Sequence, residues 1–116
     1  MEAGFKFPRL PKWSFGFSDS SYLLLAQWSA GLPATIHGST SGPAEQWQRT
    51  VALLEGLPVA PLDGRGLVQG IGEGLLVVTN LTVGPHLIGT PWMPHLGGAI
   101  VVFEDVGEAP YRVDQC

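Results

Sequence analysis

Charged side chains are scarce in this sequence, and the scarcity narrows the classes of partner. Lys and Arg together number 6 and Asp and Glu number 10 in 116 residues, which gives a formal net charge of −4 and a charged fraction of 14%. Nucleic acids and anionic membranes bind clustered Lys and Arg, so this balance argues against both as partners. The hydrophobic fraction of 45% excludes a disordered chain, which needs low hydrophobicity and high net charge.

Cysteine and long apolar runs are also nearly absent. Cys116 is the single cysteine, so an intrachain disulfide is excluded, a cysteine-based metal site is implausible, and a reducing, cytoplasmic location is predicted. The longest apolar runs, residues 22–26 and 99–103, span about five residues, whereas a membrane span needs roughly 18. The N-terminal sequence MEAGFKFPRLPKW shows no apolar core of a secretory signal.

Gly and Pro are abundant instead and divide the chain into short elements. A Pro- and Gly-rich stretch at 57–66 is the best candidate for an internal boundary. Because strands alternate with helices, the predicted fold class is α/β with parallel strands. The predicted elements are a strand at 13–17, a helix at 20–30, a strand at 34–37, an amphipathic helix at 44–55, a hairpin at 66–78 turning near 72–74, a short helix or turn at 81–88 and a buried strand at 99–103.

The first candidate site is the sequence Gly16-Phe17-Ser18-Asp19, which lies between a predicted strand and a predicted helix. A serine nucleophile needs a sharp, rigidly held turn with a helix N-terminus behind it, whose backbone N–H groups bind an oxyanion. The small Gly16 fits such a nucleophile elbow, although Ser20 stands where the usual second glycine would be. The alternative is structural: Ser18, Asp19 or Ser20 simply caps the helix, which is the commoner use of such residues.

The second candidate site is the acidic pair Glu104-Asp105, with Glu108 after it, at the carboxyl end of the strand predicted at 99–103. In open α/β sheets this edge is where ligands bind. A Glu at this position is suited to orient a catalytic histidine in a Ser-His-acid arrangement. The alternative is a solvated strand exit, in which Asp105 or Glu108 caps the segment that follows.

Histidine supplies the general base in such an arrangement, and the sequence contains three. His37 ends a predicted strand, a defensible place for a base. His86 lies in an apolar segment and is predicted to pack in the core, whereas His95 lies in a Pro/Gly loop and is predicted to be exposed. Their spacing matches no zinc pattern, and the glycines at 64–74 match no phosphate-binding loop, so neither a metal nor a cofactor is predicted.

Two separated motifs resemble a known family. Residues 16–21, GFSDSS, are similar to the Gly-Tyr/Phe-Ser-Asp-x-Thr/Ser nucleophile motif of the LD-carboxypeptidases, the serine peptidase family S66. The downstream segments NLTV (80–83), HLIGTPWMP (86–94) and GAIVVFEDVGEAPYRVD (98–114) follow that family's pattern almost throughout. The two motifs stand in the family's order, and the resemblance covers residues 4–115.

The resemblance implies an activity and roles for three residues. Family members hydrolyse the bond between an L-centre and a terminal D-amino acid, typically the D-alanine of a murein tetrapeptide in cell-wall recycling, and relatives hydrolyse a peptide antibiotic. Ser18 would be the nucleophile, the backbone N–H of Asp19 an oxyanion donor, and Glu104 the acid that orients the catalytic histidine. The implied partner is a murein-derived or other small peptide substrate.

The chain also departs from the family's pattern. The family's catalytic histidine lies well beyond the Glu, and none of the three histidines here occupies that position. The Gly-rich segment that supplies the second oxyanion donor would precede Met1, and residues 78–80 read Val-Thr-Asn where relatives usually have Gly-Gly-Asn. The resemblance therefore implies the middle of a two-domain enzyme, cut at both ends, with part of a parallel-sheet nucleophile domain at 1–56, a linker at 57–66 and the start of a β-rich C-terminal domain at 67–116.

Two hypotheses about the chain follow. In the first it is a fragment of a serine peptidase with little or no activity by itself, because losing one member of a Ser-His-acid unit removes most of the catalysis. In the second it is a degenerate, non-enzymatic binding or assembly module. The second hypothesis predicts exposed apolar surface and association with a second copy, as a homodimer, or with a complementary fragment.

Overall fold

The computed structural model describes residues 6–39 and 41–116. Two small parallel sheets of two strands each form the framework, and one helix packs between them. The elements in chain order are β1 (Ser14–Gly16), α1 (Ser20–Ser29), β2 (Thr35–His37), α2 (Ala44–Leu54), β3 (Leu75–Asn80), a 3-10 turn (Gly84–Leu87), β4 (Ala99–Glu104) and α3 (Pro110–Val113). The predicted α/β class with parallel strands is confirmed.

The strand pairs are β1 with β2 and β3 with β4, and both are parallel. The hairpin predicted at 66–78 is therefore wrong. Residues 67–74 are exposed and contain no strand, because the repeated glycines offer no side chains to pack on a sheet. Only the apolar half of that segment, Leu75–Asn80, becomes a strand, and it pairs with the similar run Ala99–Glu104.

Helix α1 connects the two sheets. It contacts β1, β2, β3 and the 3-10 turn. Leu25 of α1 forms the buried core with Val77 of β3 and Leu87 of the turn. Removing these apolar side chains from water is the principal force that holds β3 and the turn against the helix. Four half-buried residues complete the cluster: Tyr22, Met93, Leu96 and Ala99.

The β3–β4 sheet is the exposed part of the molecule. The strand 99–103 is predicted to be buried, but Ile100, Val102 and Phe103 are exposed, with 56% of Phe103 accessible to solvent. Parallel sheets are usually covered on both faces, so this strand carries a core-type sequence without the cover. The prediction of exposed apolar surface is confirmed by these side chains and by others at 67–76.

The segment 57–66 has no regular secondary structure. Arg49 of α2 donates a hydrogen bond of 2.5 Å from Nη1 to the carbonyl of Ala60, which ties this segment to the helix before it. Its role as a boundary between two domains stays a prediction. Within residues 6–39 and 41–116, the helices are too short or too polar to cross a membrane.

Candidate active site

The carboxyl ends of all four strands carry the residues of interest. Gly16 ends β1 and is in register with His37, which ends β2. Asn80 ends β3 and is in register with Glu104, which ends β4. In parallel α/β sheets this is the edge at which ligands bind, and here the two sheets meet there through the side chains of His37 and Glu104.

Ser18 lies in the turn that joins β1 to α1. Its φ of 55° places it in the left-handed region, and within the described chain it is the single residue other than glycine with a positive φ. A non-glycine residue in this conformation is strained, and such strain clusters at functional sites. The side chain is exposed, and its hydroxyl makes no hydrogen bond within residues 6–39 and 41–116. The turn therefore presents a free serine oxygen at a strand-to-helix junction.

The tightness of this turn depends on Gly16. An ideal Cβ placed on Gly16 would lie 2.5 Å from Cβ of Ser20 and 3.2 Å from its Oγ. A real Cβ atom does not approach another carbon this closely, so only glycine permits the strand and the helix to meet here. The sharp strand–Ser–helix turn that the sequence predicts is present. It contains one glycine, Gly16, and the small Ser20 stands at the position of the usual second glycine.

Asp19 occupies the N-cap position of α1, but its side chain makes no capping hydrogen bond. Its backbone N–H is likewise without a hydrogen-bond partner in the described part of the chain. The backbone N–H groups of Ser20 and Ser21 are used, because they donate to the carbonyls of Phe17 and Ser18 at 3.1 and 2.9 Å. The alternative in which these residues only cap the helix therefore lacks the side-chain hydrogen bond that defines a cap. The backbone N–H of Asp19, one residue after Ser18, remains available as a donor.

Glu104 is not a solvated strand exit. Its side chain is 24% exposed, and its Oε2 accepts a hydrogen bond of 3.1 Å from Nδ2 of Asn80. The Asn80 amide is fixed in turn, since its Oδ1 accepts from the backbone N–H groups of Thr82 and Val83 at 3.0 and 3.3 Å. The oxygen must face those donors, so the NH2 group must face the carboxylate.

The neighbouring carboxylates fit the structural alternative better than Glu104 does. Asp105 is exposed, and its Oδ2 accepts a hydrogen bond of 3.0 Å from the backbone N–H of Glu108. Glu108 pairs with Arg112 of α3 at 3.5 Å, and its Oε1 accepts a hydrogen bond of 3.4 Å from the hydroxyl of Thr82. Asp105 and Glu108 organise the segment after β4, whereas Glu104 contacts Asn80 and His37, which end two other strands.

His37 completes the group around Glu104. Its Nε2 lies 3.6 Å from Oε2 of Glu104, just beyond hydrogen-bonding distance, and its Nδ1 lies 3.4 Å from Oγ of Ser21. The imidazole side chain is only 7% exposed. Burial lowers the pKa of His37 below its ordinary value of 6.5, and the Glu104 carboxylate opposes this shift without cancelling it. Burial therefore favours the uncharged form of the ring.

Comparison with known proteins points to one family. Residues 73–116 match the family model of the LD-carboxypeptidase C-terminal domain. The chain is similar to LD-carboxypeptidases over these residues, and to two curated carboxypeptidases over 90% of its length. It is 40% identical over 110 residues to a protein named putative carboxypeptidase from Synechocystis, and 38% identical over 122 residues to a murein tetrapeptide carboxypeptidase from Pseudomonas aeruginosa. Each alignment covers 90% of this chain but only 36% and 39% of the relative, so the chain spans well under half the length of either carboxypeptidase.

The other two histidines of the chain, His86 and His95, make no contact with Ser18 or Glu104 within the described residues. The prediction that His86 packs in the core is wrong: its side chain is exposed, and its Nδ1 lies 3.0 Å from the hydroxyl of Tyr22. His95 is exposed, as predicted. The part of the chain that the structure describes contains no cluster of three or more His, Cys, Asp or Glu side chains suited to a metal ion.

Sequence reasoning missed two residues of the site, Asn80 and Ser21. Asn80 is the last residue of β3, so a correct parallel pairing of β3 with β4 would have placed it beside Glu104. The wrong hairpin prediction at 66–78 did not pair this segment with the strand that ends at Glu104, so Asn80 was not placed beside Glu104. Ser21 occupies the Thr/Ser position that ends the motif at 16–21, and that position was the signal that could have found it.

Two cavities lie near the framework, and they differ in position. One of about 340 Å³ lies at the amino ends of β1 and β2, where Trp13, Ser14 and Ala34 line it, away from the residues described above. The other, of about 510 Å³, lies between the two sheets and is lined by apolar side chains of α1, β3 and β4 and by His37.

We expect Gly16→Ala to lower the free energy of unfolding by about 1–3 kcal/mol, the usual cost of overpacking. The new methyl group would overlap Cβ of Ser20, and neither atom can rotate away. Urea unfolding followed by circular dichroism measures the change. A matched control is Gly64→Ala, since a Cβ there meets no atom within 4 Å.

The double variant Gly16→Ala with Ser20→Gly tests the cause of this loss. Removing the Ser20 side chain takes away the overlap, so the double variant should unfold close to Ser20→Gly alone. If Gly16→Ala unfolds at the same urea concentration as the unchanged chain, the close approach of β1 and α1 is not as described.

Proposed function

We propose that this chain carries the nucleophile and the acid of an LD-carboxypeptidase active site of the serine type. The reaction would be hydrolysis of an L,D-peptide bond with release of a terminal D-amino acid, and the substrate a murein-derived or other small peptide. The observation that carries the proposal is the strained, exposed Ser18 at a strand-to-helix turn in a chain similar to LD-carboxypeptidases. The Pseudomonas relative is named murein tetrapeptide carboxypeptidase, which supports the substrate class.

The chemistry proposed is acyl transfer from the peptide to water through Ser18. The Ser18 oxygen attacks the scissile carbonyl carbon, and its proton passes to a general base. The carbonyl oxygen becomes an oxyanion that the unused backbone N–H of Asp19 stabilises. Collapse breaks the C–N bond and releases the D-amino acid, whose amine takes the proton from the base. Water then hydrolyses the ester on Ser18 by the same steps and restores the serine.

Glu104 has the third role in this proposal. A carboxylate that holds a histidine fixes the tautomer and stabilises the imidazolium that forms when the serine proton is taken. Glu104 is suited to this because Asn80 holds one of its oxygens and the side chain is largely buried. The proposal assigns the general base to none of the histidines here, since His37 contacts Ser21 rather than Ser18, and His86 and His95 are exposed elsewhere.

We therefore expect the 116-residue chain alone to show little or no turnover of an L,D-tetrapeptide. Without a base the Ser18 hydroxyl is a weak nucleophile at neutral pH. Release of the terminal D-amino acid, followed by chromatography over hours at micromolar protein, measures this. Turnover that disappears in Ser18→Ala would contradict the expectation and would show that the chain is a complete enzyme.

A chimera tests the proposed roles directly. The segment of the Synechocystis relative that aligns with this chain is replaced by the chain itself, so that the relative supplies the remaining 64% of its length. We expect the chimera to release a terminal D-amino acid from an L,D-tetrapeptide. A chimera that melts cooperatively and binds the peptide but does not cleave it would reject Ser18 and Glu104 as catalytic residues.

A non-enzymatic role as an assembly module is the second candidate, favoured by the exposed β3–β4 sheet. Leu75, Leu76 and Phe103 are each more than half exposed on strands of a core-type sequence. Such a surface favours association with a second copy or a complementary fragment. Light scattering after size-exclusion chromatography separates the candidates: a monomer at all concentrations excludes self-assembly.

A further inference from the structure

One buried side chain at the candidate site has no role in the reaction proposed above. The side chain of His37 is 93% buried, and its Nε2 is the one buried side-chain polar atom of the described chain without a hydrogen-bond partner. The charged atom nearest to Nε2 is Oε2 of Glu104, at 3.6 Å. An unpartnered buried donor is costly, so a group in this position needs a reason to be there.

We propose that His37 is a positioning residue, which Ser21 holds on one side and which fixes Oε2 of Glu104 on the other. The proposal rests on the function proposed for Glu104, and it deepens that function. His37 does not touch the reacting atoms. It determines where the carboxylate lies, and so which oxygen remains for the catalytic histidine.

The protonation of the ring follows from the neighbours on its two sides. A neutral imidazole has one N–H and one acceptor nitrogen. The Glu104 carboxylate can only accept, so Nε2 must carry the hydrogen. Nδ1 is then the acceptor, and the hydroxyl of Ser21 donates to it across 3.4 Å. Because a hydroxyl can donate or accept, Ser21 satisfies this tautomer without moving.

Two donors then converge on the same oxygen of Glu104. Asn80 Nδ2 lies 3.1 Å from Oε2 and His37 Nε2 lies 3.6 Å from it. Oε1 makes no hydrogen bond within residues 6–39 and 41–116. The arrangement holds the carboxylate by one oxygen and leaves the other, Oε1, to accept from the N–H of a catalytic histidine.

The same chain of contacts connects the acid to the nucleophile turn. The backbone N–H of Ser21 donates to the carbonyl of Ser18 at 2.9 Å, while its side chain contacts His37. Ser21 therefore touches both halves of the site. It cannot be the nucleophile itself, because it is fully buried with 0% of its surface accessible.

Histidine NMR on the full chain tests the ring's tautomer and its neighbour. We expect long-range nitrogen–proton correlations to show His37 as the Nε2–H tautomer. Glu104→Gln should move its titration midpoint to lower pH, because the carboxylate that favours the charged ring is lost while burial remains. The signals of the exposed His95 serve as an internal reference for the spectra. An Nδ1–H tautomer, or an unchanged midpoint in Glu104→Gln, would overturn the proposal.

A second measurement tests whether His37 holds Glu104. Hydrogen exchange of the Asn80 side-chain amide reports on its bond to Oε2. We expect exchange to accelerate by about tenfold at most in His37→Leu, because a donor group that faces Oε2 from 3.6 Å is lost, and to recover in His37→Gln, which keeps a donor near the same place. His86→Leu is the matched control, since His86 contacts Tyr22 and not Glu104.

The outcomes separate this proposal from the proposed function. Unchanged Asn80 exchange in a folded His37→Leu variant overturns the positioning role. If His37→Leu does not fold, the tautomer and the Glu104→Gln titration decide alone. None of these readouts needs turnover, so an inactive chimera with the expected spectra would reject the catalytic assignment and keep His37 as the residue that fixes Glu104.

Discussion

In the chimera, Ser18→Ala should lower kcat by roughly 10⁶-fold, the loss seen when the serine of a Ser-His-acid unit is removed. The reason is chemical: alanine has no side-chain oxygen to attack the scissile carbonyl, and the neighbouring oxygens of Asp19 and Ser20 lie on other residues of the turn. The measurement is the rate of D-amino acid release from an L,D-tetrapeptide under saturating substrate. Since Ala lacks only the hydroxyl, KM should change far less than kcat.

The matched control for this change is Ser20→Ala. Ser20 is exposed two residues away and is also a serine of the same motif, but its oxygen lies on the first turn of α1. Its Cβ, which contacts the Gly16 region, is kept. We expect Ser20→Ala to retain kcat within a few-fold. A large loss in Ser20→Ala together with a small loss in Ser18→Ala would place the nucleophile elsewhere.

Glu104→Gln should lower kcat of the chimera by about 10⁴-fold, the cost of replacing a triad carboxylate with an amide. Gln keeps the shape of the side chain, but it cannot stabilise the imidazolium that forms as Ser18 attacks. It can also present its NH2 group where the carboxylate accepts. The new Gln amide has two orientations, and in one of them its NH2 group faces the NH2 group of Asn80. Two donors then face each other, and the hydrogen bond from Asn80 is lost.

Asp105→Asn is the control, because Asp105 is the adjacent carboxylate and is exposed. We expect it to leave kcat nearly unchanged and to weaken only the turn in which Asp105 accepts from the N–H of Glu108. Equal effects of Glu104→Gln and Asp105→Asn would indicate a general electrostatic contribution of the acidic pair. The specific role of Glu104 would then be rejected.

The two substitutions, Ser18→Ala and Glu104→Gln, should also differ in their effect on the stability of the 116-residue chain by itself. Ser18→Ala removes a hydroxyl that has no partner within the described residues, and Ala is no better suited than Ser to the left-handed turn, so stability should hardly change. Glu104→Gln alters a side chain that is three-quarters buried between Asn80 and His37, so some loss of stability is expected. Thermal melts of both variants separate catalytic from structural effects.

The local parts of this site could be predicted from the sequence. A short apolar strand, a glycine, a serine and a helix follow one another within residues 14–29, and neighbours in the chain determine such a turn. The strand that ends at Glu104 was likewise predicted, since its Val and Ile residues favour strands and the acidic pair marks its end. The resemblance of the two motifs to LD-carboxypeptidases gave Ser18, Asp19 and Glu104 their expected roles, which the experiments above test.

Contacts between distant residues could not be predicted in this way. The hydrogen bond from Asn80 to Glu104 joins positions 24 apart, and the burial of His37 depends on elements before and after it in the chain. His37 and His86 illustrate the limit: sequence reasoning placed His86 in the core, yet His37 is the buried ring and His86 is exposed. A histidine's burial depends on which helix covers it, and that is a property of the packed molecule.

The sequence by itself determined the order of most elements and the tight turn at Ser18, because backbone preferences and apolar patterns act over a few residues. The tertiary structure decided that β3 and β4 pair in parallel, which residues surround Glu104, and which histidine is buried. The physical reason is that these features depend on the free energy of packing and of buried polar contacts between segments far apart in the chain. The low charge content of the chain also relates to packing. Its apolar strands have the composition of parallel strands that are normally covered on both faces, although here several of their side chains are exposed.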